Sequence, residues 1–93
     1  MDFFKNVSKP AKGVPTYKCP CCRFKTLLGR AGFEICPVCY WEDDGQDEHD
    51  ADTVRGGPNG ALSLRMAQEN FARIGAADPK FSKKVRKPYE EEL

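Results

Sequence analysis

Ninety-three residues with a formal net charge of +1, 40% hydrophobic and 31% charged, describe one small domain whose core cannot be large, because short chains bury a small share of their surface. No stretch approaches the ~18 consecutive apolar residues of a membrane span, and residues 1–5 lack the apolar run of a signal peptide, so neither a membrane nor export is expected. Five cysteines cannot all pair internally, which points to a reducing cytoplasm and to metal or redox chemistry as the staple a fold this small requires.

The small net charge conceals segregation. Residues 1–33 carry seven Lys/Arg and one Asp, residues 34–52 carry eight acids and no Lys or Arg, and residues 53–93 carry eight basic and five acidic side chains. Four thiolates on one divalent ion would bring the whole to about −1, so no global basic field attracts nucleic acid, and binding of that kind would have to be local.

Residues 1–15 hold Pro10, Gly13 and Pro15 among scattered lysines and read as a flexible or loosely docked arm, with Phe3, Phe4 and Val7 as the side chains able to pack. Residues 16–78 form the domain proper. Within it Phe24, Thr26 and Leu28 alternate with Arg23, Lys25 and Leu27, and Gly29 and Gly32 bracket a turn before Phe33 and Ile35. This pattern predicts a hairpin between the two cysteine pairs. Residues 42–52 are almost wholly polar, a loop; residues 56–60, Gly-Gly-Pro-Asn-Gly, are a concentrated turn signal. Ser63 stands at an N-cap position, Leu64, Ala67, Phe71 and Ile74 recur at helical spacing, and Gly75 stands at the C-cap. An amphipathic helix over Leu64 to Ile74 is predicted, its apolar face covering the hairpin. Residues 79–93, with five positive charges and no acid between Pro79 and Pro88, read as a mobile charged tail.

Cys19-Pro20-Cys21-Cys22 and Cys36-Pro37-Val38-Cys39 are two Cys-x-x-Cys units thirteen residues apart. Two residues between paired cysteines let a tight turn aim both sulfurs at one point, and two such turns supply the four thiolates that tetrahedral zinc favours. Cys19, Cys22, Cys36 and Cys39 are therefore assigned to one structural zinc ion. Four protein ligands leave no position for a substrate or an activated water. The alternatives are iron in the same four-sulfur site and redox cycling of Cys19 with Cys22 or of vicinal Cys21 and Cys22, although the βαβ pattern that accompanies thioredoxin-like chemistry is missing. Cys21 reads as a knuckle residue turned from the metal, with an alternative-ligand or oxidisable-thiol role as its competing reading. His49, the single histidine, reads as a solvated loop residue.

Glu42, Asp43, Asp44, Asp47, Glu48, Asp50 and Asp52 invite a second site for a hard cation, but the Asp-x-Asp-x-Asp-Gly grammar of a calcium loop is missing. A catalytic carboxylate pair has no identifiable nucleophile beside it. A solvated anionic face for a basic partner, or for the basic tail, is the expected role. The glycine turn at 56–60 lacks the Gly-Lys-Ser/Thr ending of a phosphate loop and reads as a turn before a cap.

Tyr17-Lys18-Cys19-Pro20-Cys21-Cys22, the run from Gly32 through Cys36-Pro37-Val38-Cys39-Tyr40-Trp41-Glu42-Asp43-Asp44-Gly45-Gln46-Asp47, Gly56-Gly57-Pro58-Asn59, Ser63-Leu64 and Asn70-Phe71 closely resemble the bacterial cysteine-rich CPCC family over about residues 16–76. The resemblance implies a zinc-ribbon domain and names no reaction. It further implies that positions 41–47 and 56–59 are signature positions beyond the needs of a ribbon. One feature departs from zinc ribbons in general: the residue after the second cysteine of a knuckle is often glycine, and here it is Arg23 or Tyr40.

The expected fold is a small metal-stapled α+β domain, a zinc-ribbon β-hairpin with one packed amphipathic helix. The expected function is a non-enzymatic adaptor that contacts a protein partner through Tyr40, Trp41, Glu42, Asp43, Asp44 and Asp47, since aromatic residues beside charges are frequent interface anchors. Nucleic-acid binding through Lys5, Lys9, Lys12, Lys18, Arg23 and Lys25 with Tyr17 and Phe24, or through the lysine-rich tail, is the second expectation, opposed by the acidic loop. Hydrolytic chemistry on the acidic residues is the third.

Overall fold

Two chain reversals, built alike around the two Cys-x-x-Cys units, organise the domain. The computed structural model describes residues 15–93, so the predicted arm, apart from Pro15, lies outside the described residues. Strand β1 (Tyr17–Lys18) pairs antiparallel with β2 (Lys25–Leu27), Tyr17 opposite Leu27 and Lys18 opposite Lys25, with an irregular step between. The second reversal is marked by a bridge between Ile35 and Glu42. There the Phe33 N–H donates to the Asp43 carbonyl (2.9 Å) and the Asp43 N–H to the Glu34 carbonyl (3.0 Å).

The hairpin thus lies across a cysteine pair and not between the two pairs. The strand expected at residues 24–28 is present as β2, but its burial does not alternate, since Thr26 and Leu27 are both buried and Leu28 is 54% exposed, and its partner is the segment before Cys19. The reason is loop closure: the four-residue knuckle already reverses the chain, whereas pairing 24–28 with 33–35 would need a second turn at once. The glycine-bracketed segment is instead pinned by the Glu34 carboxylate, which accepts from the Leu28 and Gly29 N–H groups (2.9 and 3.0 Å).

Helix α1 (Leu64–Ile74) occupies the span its periodicity predicts. Ser63 Oγ accepts from the Met66 N–H, and Gly75, at φ 78°, closes the helix by donating to the Phe71 carbonyl. Leu64 and Ala67 are buried among the knuckle cysteines, Leu27, Val38, Trp41 and Ala51, and Phe71 packs edge-on against Phe24 with ring centroids 6.4 Å apart. Gln68 reaches further and donates to the Pro20 carbonyl inside the first knuckle (2.9 Å).

Residues 79–93, expected as a mobile tail, are packed onto the ribbon in the structure. The Arg86 N–H donates to the Pro37 carbonyl (3.1 Å), and the Arg86 guanidinium holds Glu92 through two bonds of 2.9 and 3.0 Å while lying 3.7 Å from the Tyr89 ring centre. Glu92 also accepts from the Tyr89 N–H (2.8 Å) and is buried in a short turn, Glu90–Glu92, set against β2. Composition marked this segment as solvated; the ion pair and the free knuckle carbonyl dock it.

The Arg86 guanidinium, followed by the Tyr89 N–H, holds the Glu92 carboxyl below its ordinary 4.5. Its contribution to docking is therefore complete above that value and is lost as pH falls through the lowered one. At neutral pH, Glu92→Gln is expected to speed amide exchange at Arg86 and Tyr89 by about tenfold, the equivalent of one charge-assisted bond, leaving α1 unaffected. Unchanged exchange at both amides contradicts the docking.

Candidate metal centre

Each knuckle aims its sulfurs by the same backbone device. The Cys19 carbonyl accepts from the Arg23 N–H and the Cys19 N–H donates to the Phe24 carbonyl, both at 2.8 Å; around Cys36 the same pair of bonds is made with Tyr40 and Trp41 at 2.7 and 2.9 Å. Closing this ring puts the residue after the second cysteine in the left-handed region, Arg23 at φ 71° and Tyr40 at φ 72°. That conformation costs an L-residue roughly 1–2 kcal/mol, which is why glycine is common there. Two such residues are held because the surrounding bonds over-determine them.

The Sγ atoms of Cys19, Cys22, Cys36 and Cys39 all lie within 4.8 Å of one another, and all four residues are buried. Cys19 and Cys39 sulfurs are 3.6 Å apart, Cys22 and Cys36 sulfurs 3.7 Å. An ion bound tetrahedrally at ~2.3 Å requires sulfur–sulfur edges of about 3.8 Å, whereas a disulfide requires about 2.05 Å. The spacing fits a metal and not a pair of disulfides. All five cysteines are free thiols.

The surroundings suit sulfur anions. Thr26 Oγ1 is 3.0 Å from Cys36 Sγ, and the Trp41 N–H points at Cys39 Sγ (3.4 Å). Hydrogen bonding with Cys19 first, then with the other sulfurs, drives the Cys36 thiol far down and the Cys22 and Cys39 thiols up. The opposite directions show that the sulfurs share protons among themselves. A divalent ion replaces those protons, so the cluster can hold a metal whose binding releases protons.

Both knuckles are braced from outside by residues that spacing does not reveal. Gln68 holds Pro20. On the second knuckle, the Ala77 N–H donates to the Cys39 carbonyl (2.8 Å), and Asn70 Nδ2 in turn donates to the Ala77 carbonyl (2.8 Å).

The remaining candidates fall into different places. Cys21 is buried, 4% exposed, and is not one of the four clustered sulfurs. The His49 side chain is 78% exposed and stands 3.8 Å from the Asp50 carboxylate, away from the cluster. Tyr40 is half-buried against Phe81. Trp41 and Asp43 are both fully buried, which corrects their expected role as contact residues: Trp41 fills the core and Asp43 anchors a loop. Glu42, Asp44 and Asp47 are partly exposed.

Asp43 is the hub of the acidic segment. Its carboxylate accepts from Arg30 Nε (2.9 Å), the Ala31 N–H (2.7 Å) and the Gly45 N–H (3.1 Å). Arg30 continues to Asp47 (2.8 Å) and to the Gln46 carbonyl (2.9 Å). Asp47 caps a short turn, Glu48–Asp50. Gly45 sits at φ 95°, where a Cβ would also come within 3.3 Å of Ala31 Cβ. Further out, Glu48 meets Arg23, Arg65 and Gln68, and Arg55 bridges Asp50 and the Asp44 carbonyl. Asn59 clasps Glu42 reciprocally, donating to its carbonyl (2.8 Å) and accepting from its N–H (3.3 Å).

The expected solvated anionic face is thus a loop latched by arginines. The Arg30 hydrogen bond first, then the Glu48 N–H, hold the Asp47 carboxyl below the usual range. Gln68 and then Arg65 do the same for Glu48, and the Asp47 N–H and then Arg55 for Asp50. Carboxylates held this way are weak bases. A cleft of about 300 Å³ between the end of α1 and residues 85–88 is lined by Val38, Phe71, Ile74, Val85, Arg86 and Pro88 among others, with no acid, histidine or cysteine.

Two knuckles stapled through four cysteines, with one helix packed on them, define a small metal-stapled, zinc-ribbon-like domain. The sequence matches the cysteine-rich CPCC family over residues 17–92, and the chain belongs to that family. The match runs through the docked C-terminal segment. No curated protein and no solved structure matches the chain.

Replacing any one of Cys19, Cys22, Cys36 or Cys39 by Ser is expected to abolish stoichiometric metal uptake and cooperative unfolding, while Cys21→Ser keeps both; metal content and thermal melting of the five variants check this, and a Cys21→Ser protein that fails to load metal would refute the assignment. In denaturant unfolding of the metal-loaded protein, Arg30→Ala is expected to cost roughly 2–3 kcal/mol because it strands the buried Asp43 carboxylate. Arg65→Ala, which breaks exposed ion pairs and one hydrogen bond to Gln68, is expected to cost clearly less, because exposed pairs contribute little. Equal losses would contradict the ranking.

Proposed function

We propose that the ion is zinc, that its role is structural, and that the domain it builds is a protein-interaction module. The observation carrying this reading is the closed coordination set: four buried sulfurs from the protein fill a tetrahedron and leave no position for a substrate or a reactive water. Zinc suits four soft thiolates, has no redox chemistry and imposes no geometry beyond the tetrahedron. Free thiols in such a site are at home in a reducing cytoplasm.

With Trp41 and Asp43 committed to the interior, the contact surface we propose is moved outward. Phe33 and Ile35 are 55% and 49% exposed. Ile35 stands opposite Glu42 in the bridge, so these two side chains share a face, and Phe33 lies two residues earlier on the same loop. Phe33 adopts φ 60° and Ala31 φ 59°, conformations held by the Asp43 carboxylate and carbonyl. An aromatic and an aliphatic side chain presented on a rigid, strained loop support recognition of an apolar patch on a protein partner.

Elemental analysis of protein purified without added metal is expected to find one zinc per chain and a colourless sample. Stoichiometric iron with visible absorption overturns the zinc reading. Cross-linking and capture from lysate with wild type and Phe33→Ser/Ile35→Ser, at unchanged melting temperature, is expected to show loss of specific partners from the variant. Identical profiles remove this face from the proposal.

A further inference from the structure

The arginine latch uses the cations nearest the acidic loop and leaves another set free. Arg23, Arg30, Arg55, Arg65 and Arg86 all lie in ion pairs. Among the described residues Lys80, Lys83, Lys84 and Lys87 lie in none, and all four are exposed. They sit in one stretch, from Pro79 to Pro88, that contains no acid.

This stretch is a clamped loop. Just before it the Ala77 N–H is bonded to the Cys39 carbonyl, and near its end the Arg86 N–H is bonded to the Pro37 carbonyl, so both ends are tied to the second knuckle. Asp78 caps the turn Pro79–Phe81, and the Lys84 N–H closes on the Phe81 carbonyl (2.8 Å). In its middle Phe81 meets Tyr40, the residue directly after the candidate ligand Cys39, with ring centres 5.1 Å apart and a 43° tilt. Lys80 Nζ lies 5.2 Å from the Phe81 ring centre and Lys84 Nζ 5.8 Å from that of Tyr40. Two lysines outside any ion pair, Lys80 and Lys84, therefore stand beside a half-buried aromatic pair, with exposed Lys83 and Lys87 on the same loop, whose backbone is anchored at the second knuckle.

We propose that residues 78–87 with Tyr40 form a binding surface for single-stranded nucleic acid, the lysines meeting successive phosphates and the Phe81–Tyr40 pair offering a stacking face to a base. Lysines tracking a backbone beside aromatic platforms are what sequence-tolerant single-strand binding uses. An acidic peptide would satisfy the lysines, but the negative faces of the two rings repel carboxylates, whereas every base has a π-face to stack. A duplex offers its bases only inside a groove, and this loop carries no helix or two-stranded ribbon to enter one. The net charge near zero does not oppose the proposal, because four arginines offset part of the acidic loop's charge and exposed charges separated by more than about 8–10 Å are screened at ordinary salt. This surface is separate from the Phe33–Ile35 face, and neither reading depends on the other.

The test is fluorescence anisotropy of labelled oligouridylate and oligothymidylate of about ten nucleotides with the metal-loaded full chain. Binding is expected at about 50 mM salt in the 10⁻⁶–10⁻⁴ M range, with log affinity falling against log salt with a slope of about −2 to −3, as three or four phosphate contacts give. Lys83→Ala/Lys84→Ala, which breaks no ion pair and removes one ring contact, that of Lys84 with Tyr40, is expected to reduce the slope by about 1.4. Phe81→Ala is expected to weaken binding about tenfold with the slope unchanged, and Phe81→Trp to restore it. No binding at about 50 mM salt, a salt slope indifferent to the lysine pair, or equal competition by an oligoglutamate of the same length would each overturn the proposal.

Discussion

Four sulfur atoms brought within 4.8 Å of one another are the constraint on which the rest of this domain depends. Among the described residues its sheet is one pair of strands of two and three residues, and a two-stranded ribbon of that length has no independent stability in water. Its core is a single helix face laid over cysteines, Leu27, Val38 and Trp41. Closing each knuckle also confines Arg23 and Tyr40 to the left-handed region. A metal held by four thiolates contributes on the order of 10 kcal/mol at neutral pH in small modules, enough to offset these costs, and nothing else among the described residues supplies a term of that size.

Around this centre, polar residues do what a larger protein would do with more hydrophobic area. Gln68, Asn70 with Ala77, and Arg86 each terminate on or near a knuckle carbonyl, so the backbone groups that the tight turns leave unpaired find partners from the helix and from the C-terminal segment. Asp43 and Arg30 tie the two loops that follow the knuckles to each other, and Asn59 ties the second to the turn before α1. The run 41–47 and Asn59 are therefore mostly architecture: a core tryptophan, a buried carboxylate, a glycine at positive φ and a buried glutamine whose amide reaches the Asp50 and Thr53 carbonyls.

What was legible in the sequence is local. The cysteine spacing picks out the four residues that converge, and α1 begins at its serine cap and ends at its glycine because helix signals lie within a few residues of the helix they delimit. What was misread depends on contacts between distant positions. The β-like residues at 24–28 mark the strand Lys25–Leu27 but cannot say whether its partner precedes or follows it. The acidic run resembles a solvated face because its cations are remote, Arg30 thirteen residues before Asp43 and Arg23 twenty-five before Glu48. The C-terminal segment resembles a tail because its docking rests on one ion pair and on knuckle carbonyls, neither of which leaves a periodic trace. Trp41 illustrates the limit of composition: an aromatic beside charges suits an interface as well as a core, and its 0% exposure settles it as core.

The most direct measurement uses that tryptophan, the chain's only one, as its reporter. Metal is withdrawn by graded chelation under reducing conditions while Trp41 emission, near-ultraviolet dichroism and bound metal are followed together. A metal-stapled domain loses all three signals in proportion, with emission shifting to that of solvated indole, and recovers them when zinc is returned. Metal-free protein that keeps a buried Trp41 and unfolds cooperatively on heating would contradict the account at its root.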